Sequence, residues 1–182
     1  NLSPLLANIY LNEFDREFLK RGVPCIRYAD DIVLLAKSKR ASERLLESST
    51  RYLEEKLKEL SSRKCCQSIK PSLERIKVYA RGWLNYYGIA SMKSNMNEVN
   101  GWLYHRIRMC IWKQWKCVRT RYRNLRVMGV PQDLGWKTAN SRRGYWFTTH
   151  TVVMNMAMTK ERLINSGFYD LATAYQSVHV NY

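Results

Sequence analysis

The chain has 182 residues, 46% of them hydrophobic and 25% charged, and its 31 Lys/Arg against 15 Asp/Glu give a net charge of +16. That is enough apolar material for one ordinary domain or two small ones, and it excludes a chain too polar to fold. No run approaches the roughly 20 apolar residues that span a bilayer, so no membrane partner is expected.

The opening Asn1-Leu2-Ser3-Pro4 carries no basic, apolar leader and no initiator Met, which reads as a piece of something longer. The five cysteines are odd in number, and none are spaced C-x-x-C. With three scattered histidines they form no zinc pattern, and they read as reduced thiols of an intracellular, cytoplasmic protein. The charge is uneven. Residues 1–60 hold 11 basic and 10 acidic side chains, whereas residues 61–182 hold 20 and 5, together with all six tryptophans. A basic, aromatic-rich second part points to a polyanion partner.

In chain order, Ser3-Pro4 predicts a helix start, and Leu6, Tyr10, Phe14 and Phe18 recur every four residues, flanked by Leu5 and Ile9. Lys20-Arg21 favour the end of that helix and Gly22 can close it. Cys25–Tyr28 and Asp31–Ala36 are β-prone runs around a two-residue break, Ala29-Asp30, the pattern of a tight hairpin. Ser42 is expected to cap a helix with Leu45, Leu46, Ser49, Leu53, Leu57 and Leu60 on one side and mixed charges on the other. Helix, hairpin, helix suggests a small antiparallel sheet backed by helices.

Beyond residue 60 the β signals fade. A helix from about Pro71 carries Leu73, Ile76, Tyr79, Ala80, Trp83 and Tyr87, with Gly88 as its stop. Another from about Asn97 carries Val99, Leu103, Ile107, Ile111 and Trp115, and is read as continuing through Arg119–Val127 until Gly129 and Pro131. Residues 133–150 read as loop plus a short helix, Thr159–Asn165 opens the last expected helix, and the final thirteen residues carry no assignable pattern.

Asp30 and Asp31 are the chemical outlier. Burying two adjacent carboxylates unpaired costs several kcal/mol each; a hairpin tip avoids that cost and lets their oxygens lie close. Close carboxylates repel, and a hard divalent cation relieves the repulsion: magnesium takes one or two carboxylates plus substrate phosphates. A pair of such ions can activate a hydroxyl and stabilise a leaving pyrophosphate. The competing reading is an Asx-type turn in a solvated hairpin.

With these residues in view, "RYADDIVLLAKS" resembles the central palm motif of reverse transcriptases, and "NLSPLLANIYLNEFD" resembles the helix upstream of it. "VYARGWLNYYGIA" and "NSRRGYWFTTHT" resemble the thumb/maturase region of bacterial group II intron-encoded proteins. The resemblance implies an α+β fold: a partial reverse-transcriptase palm (1–58), a helical thumb (59–128) and a maturase-type RNA-binding region (129–182). It implies an RNA-directed DNA polymerase that also binds intron RNA and assists splicing and mobility. The compact tail suggests a member without an endonuclease domain.

The resemblance further implies Asp30 and Asp31 as catalytic, Mg2+-binding carboxylates, Tyr28 and Ala29 beside the primer end or incoming nucleotide, and Asn1, Leu2 and Ser3 near the nucleotide pocket. The partners so implied are group II intron RNA, an RNA or DNA template with primer, and deoxynucleoside triphosphates. The family's third palm aspartate and its fingers lie upstream of Asn1. After "YLEEKLK" the family continues with palm strands and a primer grip, whereas "KELSSRKCCQS" follows here. A seam near Leu57–Leu60, from a deletion or from omitted residues, is therefore expected, and this chain alone is not expected to extend a primer. The alternative functions are an RNA-binding splicing cofactor without polymerase activity, or another prokaryotic reverse transcriptase, against which "YARGWLNYYG" argues.

For the RNA surface, Arg106, Arg108, Lys113, Lys116, Arg119, Arg121, Arg123 and Arg126 fall within 21 positions and predict a broad basic sector of one helix. Arg63, Lys64 and Arg81 join them. Arg142 and Arg143, beside Tyr145-Trp146, are candidates for direct contact with unpaired bases, with a loop salt bridge as the alternative.

Overall fold

The computed structural model describes residues 12, 16, 19–20, 22–23, 25–28, 31–34, 36–62, 68–88 and 91–179. Two short strands, β1 (Cys25–Tyr28) and β2 (Asp31–Leu34), pair antiparallel, Cys25 opposite Leu34 and Tyr28 opposite Asp31. Nine helices follow among the described residues: α1 (Lys39–Leu60), α2 (Lys70–Tyr87), α3 (Lys93–Gln114), α4 (Val118–Val127), α5 (Gln132–Ala139), α6 (Tyr145–Thr149), α7 (Val152–Ala157), α8 (Lys160–Asn165) and α9 (Leu171–His179). The expected first helix falls almost wholly outside the described residues. Its expected stop does not: Gly22 has φ +65° and donates its N–H to the Leu19 carbonyl at 3.0 Å.

α1 forms because a leucine stripe, interrupted by the small buried Ser49, meets good helix formers. Leu53 and Leu57 are fully buried, while Glu43, Arg44, Glu47, Arg51, Glu54 and Glu55 face solvent. Its cap is Ser38, not the expected Ser42: the Ser38 hydroxyl accepts from Ala41 N–H at 3.2 Å. Ser42 lies inside the first turn and donates back to the Lys39 carbonyl at 2.7 Å. The helix runs through the expected seam at 57–60, and Ser61 N–H still reaches the Leu57 carbonyl.

α2 spans the expected stretch with Pro71 in its first turn. Gly88 ends it, but with right-handed backbone (φ −61°). Its smallness serves close approach instead, since a Cβ there would lie 2.7 Å from the Val178 side chain on α9.

α3 departs most from the sequence pattern. It begins at Lys93 and stops at Gln114, so α4 is a separate helix rather than its continuation. One stripe of α3, with Met96, Val99, Leu103 and Ile107, enters a core shared with Leu53, Leu57, Ile76, Leu84, Leu163, Leu171 and Tyr175. Trp112 enters a second core with Leu125, Val130, Met154, Ala157 and Met158, and Ile111 packs against both. The first core draws on residues from each of the segments 1–58, 59–128 and 129–182.

Two glycines fix the turns that fold the C-terminal helices back onto α3. At Gly129 (φ +89°) the N–H donates to the Arg126 carbonyl and the following Val130 N–H to the Leu125 carbonyl, each at 3.0 Å. At Gly167 (φ +100°) the same pair of bonds links Gly167 to Ile164 and Phe168 to Leu163. Both are helix C-terminal motifs with a left-handed residue, and in both the hydrophobic partners, Leu125 with Val130 and Leu163 with Phe168, are buried. Thr159 caps α8, as the sequence leads one to expect, accepting from Arg162 N–H. Two helices, α5 and α6, occupy the 133–150 stretch where one was expected, and the unassigned tail forms α9.

Candidate nucleic-acid interface

The expected polymerase residues are only partly placed. Asn1, Leu2, Ser3, Ala29 and Asp30 lie outside the described residues, as do Arg63 and Lys64 of the basic set. Tyr28 and Asp31 are backbone partners at the last rung of the two-stranded ladder.

The basic set divides in two. Three arginines expected on the RNA surface are committed to the protein itself. Arg108 is 8% exposed; its Nε and Nη2 donate to the Met158 carbonyl at 3.0 and 2.7 Å, and Nη1 donates to Asn155 Oδ1. Burial pushes its pKa below the usual arginine value. Arg121 donates from Nε to the Trp115 carbonyl at 2.8 Å and stacks over Trp112 at 4.9 Å, holding the break between α3 and α4. Arg106 donates to Ser61 Oγ at 2.7 Å and to the Lys58 and Ser61 carbonyls at 3.0 and 3.3 Å. It thereby places a cation at the carbonyl end of α1, where the helix dipole favours one. The sequence expectation fails for Arg106 and Arg108 because α3 is buried on two sides rather than one, so these basic positions turn inward; Arg121, in the first turn of α4, is drawn back to the end of α3 by the Trp115 carbonyl and the Trp112 ring.

The remaining cations of that set among the described residues are exposed. Arg119, Arg123 and Arg126 recur at i, i+4 and i+7 along α4 and share one face, while Leu125 is fully buried on the other side. Arg126 also donates to the Val130 carbonyl at 2.7 Å. Lys113 and Lys116 lie exposed at the α3–α4 junction, Arg81 lies exposed on α2, and Arg142 and Arg143 lie exposed on the link before α6. The Arg143 guanidinium sits 4.6 Å above the half-exposed Phe147 ring. Sequence reasoning missed Trp136, which stands 55% exposed on α5 with its ring edge-on to Tyr122 of α4 at 5.5 Å. The one local signal is Gly135 just before it, buried against the Tyr122 ring where α5 packs on α4. The face therefore offers guanidinium groups for phosphates and a partly bare indole for a base.

A second feature lies where α1, α3 and α6 meet. An open cleft of about 460 Å³ is lined by Arg51, Glu54, Glu55 and Lys58 of α1, Trp102 and Arg106 of α3, and Trp146 of α6. Trp146 is braced by a histidine pair: His105 and His150 stack with centroids 3.8 Å apart, and the Trp146 ring meets His150 edge-on at 4.8 Å. His105 Nδ1 donates to the Thr149 carbonyl at 3.2 Å and His150 Nδ1 to the Trp146 carbonyl at 2.9 Å. Burial, and then the neighbouring His150, hold His105 below the usual histidine pKa. The Glu54 pKa is raised from its ordinary value by burial first and by Glu98 and Glu55 next.

Among the described residues no cluster of three metal-ligating side chains occurs, and no helix is long and apolar enough to cross a membrane. In comparison with known families, residues 50–129 match the family described as the group II intron, maturase-specific domain. That span is less than half of the chain; it runs from within α1 through Gly129 and contains the arginine face of α4. No curated protein matches the chain.

Proposed function

Taking the match of residues 50–129 as the premise, we propose that the protein is a maturase that binds group II intron RNA and assists its splicing. The matched segment carries the reading, and the exposed Arg119, Arg123 and Arg126 face inside it supports the reading physically. Splicing chemistry belongs to the RNA; the protein's share is to neutralise phosphates and hold loops and bulges in place. The test is equilibrium binding of intron RNA between low and moderate salt. Wild type should show a steep log–log slope. Replacing Lys116, Arg119, Arg123 and Arg126 together by Gln should lower the slope's magnitude by roughly 3, at about 0.7 to 0.9 for each phosphate no longer neutralised. A shallow wild-type slope, or a variant slope unchanged, would overturn the reading.

We extend the proposal to RNA-directed DNA polymerase activity of a longer polypeptide that includes this chain. The sequence resemblance of "RYADDIVLLAKS" supports it, as does the placing of Asp31 at the start of β2 directly after the two residues that separate the paired strands. Asp30 and Asp31 supply the hard oxygen donors that Mg2+ takes with substrate phosphates, and they are the residues that would hold it. Bound magnesium would supply charge neutralisation around the phosphates during transfer of a deoxynucleotide to the primer. In such a polypeptide, Asp30→Ala with Asp31→Ala should abolish extension of oligo(dT) on poly(rA) and leave intron RNA binding within about twofold. Equal loss of both activities would end this division of labour. Wild-type failure to extend would favour the alternative, a splicing cofactor without polymerase activity.

A further inference from the structure

We propose that the cleft between α1, α3 and α6 is a binding subsite for one unpaired guanine nucleotide of the RNA, an inference that rests on the RNA-binding reading and sharpens it. Trp102 and Trp146 line the cleft, and Arg51, Lys58, Arg106, Glu54 and Glu55 furnish its charged lining. A volume near 460 Å³ accommodates a nucleobase with its ribose, and it is far too small for a helix of RNA. Indole faces stack on any base, and purines offer the larger face.

The charged groups narrow the choice. A carboxylate accepts hydrogen bonds and cannot donate them. Guanine alone among the four bases presents two adjacent donors, its N1–H and N2–H2, to a single carboxylate, while its O6 and N7 accept from arginine. Glu54 and Arg51 supply one partner of each kind from the same face of α1. A uracil edge has only one donor, flanked by two carbonyls that a carboxylate repels. Arg106 is held by the end of α1 and stands 5.1 Å over Trp102, so that wall of the cleft is fixed before any ligand arrives. The stacked histidines fix the Trp146 side in the same way. Arg142 and Arg143, exposed four and three residues before Trp146, are near in the chain for the flanking phosphates.

The experiment uses the full chain and three single-stranded RNA 11-mers: a uridine tract with a central guanine, the same tract with an abasic centre, and all uridine. The guanine RNA should bind on the order of tenfold tighter than the abasic RNA and several-fold tighter than all-uridine. Trp146→Ala should reduce both ratios to near one, and Glu54→Gln should reduce the guanine-over-uridine ratio while keeping most of the guanine-over-abasic ratio. Thermal melts of both variants confirm that they are folded; should Trp146→Ala unfold, Trp146→Leu removes the stacking face and retains apolar bulk. Equal wild-type affinity for the guanine and abasic RNAs overturns the subsite and leaves the maturase reading intact, provided that binding stays salt-dependent. Failure to bind any of the three overturns the subsite, and the maturase reading then stands or falls on the salt-dependent binding of intron RNA.

Discussion

Replacing Arg108 separates a structural arginine from a phosphate-binding one. Three of its N–H groups donate inward, two to the Met158 carbonyl beyond the end of α7 and one to Asn155. Arg108→Ala leaves a carbonyl in a buried setting without its donors, which costs about 1–3 kcal/mol, and opens a void where the side-chain stem was packed, which adds roughly 1–2 kcal/mol. Relief of the buried charge offsets part of this. A net loss of about 3 kcal/mol is expected, or roughly 6–12 °C in Tm for a chain of this size. Arg108→Lys should recover only a fraction, because an ammonium cannot span both acceptors in the guanidinium's geometry. Urea denaturation followed by circular dichroism measures the loss, and RNA titration at a temperature where the variant stays folded should give wild-type affinity and salt slope. Wild-type stability combined with a weakened, less salt-dependent affinity would show that Arg108 faces RNA and would refute the assignment.

Three further outcomes are expected. Asp170 accepts from Asn100 and Thr173 at 2.6 and 2.9 Å and from Lys160 at 2.6 Å; burial raises its pKa, but Lys160, Thr173 and Asn100 outweigh it and hold the carboxyl below its usual value. A depressed carboxyl stabilises the fold above the unfolded-state value and loses that stabilisation as pH falls through the folded one, so acid unfolding should sharpen below about pH 4 and Asp170→Asn should flatten that part of the profile. Gly129→Ala and Gly167→Ala each force a Cβ into left-handed backbone and should cost about 1–2 kcal/mol in denaturant melts; no loss at either would contradict the turn geometry. Arg106→Gln should fray the end of α1, read as faster amide hydrogen exchange at Ser61 and Ser62 with little change at α9, and uniform exchange would argue against its capping role.

The helices legible in the sequence were those whose burial is one-sided. α1 and α2 show a single apolar stripe, and their spans follow from it to within a few residues. α3 misleads because Tyr104, Arg108 and Trp112 form a second buried row beside Val99, Leu103 and Ile107; a side chain as polar as Arg108 in that row carries no periodic signal. The break after Gln114 lacks Gly or Pro. It is held by side chains from further along the chain, with Arg121 bound to the Trp115 carbonyl and lying over Trp112. The α4 arginine face was legible as charge density, but which arginines remain outside was not, since that depends on the packing of α7 and α8. Trp146 could be singled out from its basic neighbours, whereas its cleft could not, because α1 and α6 are nearly ninety residues apart in the chain.

The dual packing of α3 has a practical corollary. Residues 50–129, although recognisable as a family module, would be an awkward piece to excise. Leu163, Phe168, Leu171 and Tyr175 close the apolar side of that module from beyond its end, and Met154 and Met158 roof Trp112. A truncated polypeptide would bare two greasy flanks of one central rod and would tend to clump. The melting of the helical part should accordingly be a single concerted event, with the recognisable segment and its tail surviving or collapsing as partners.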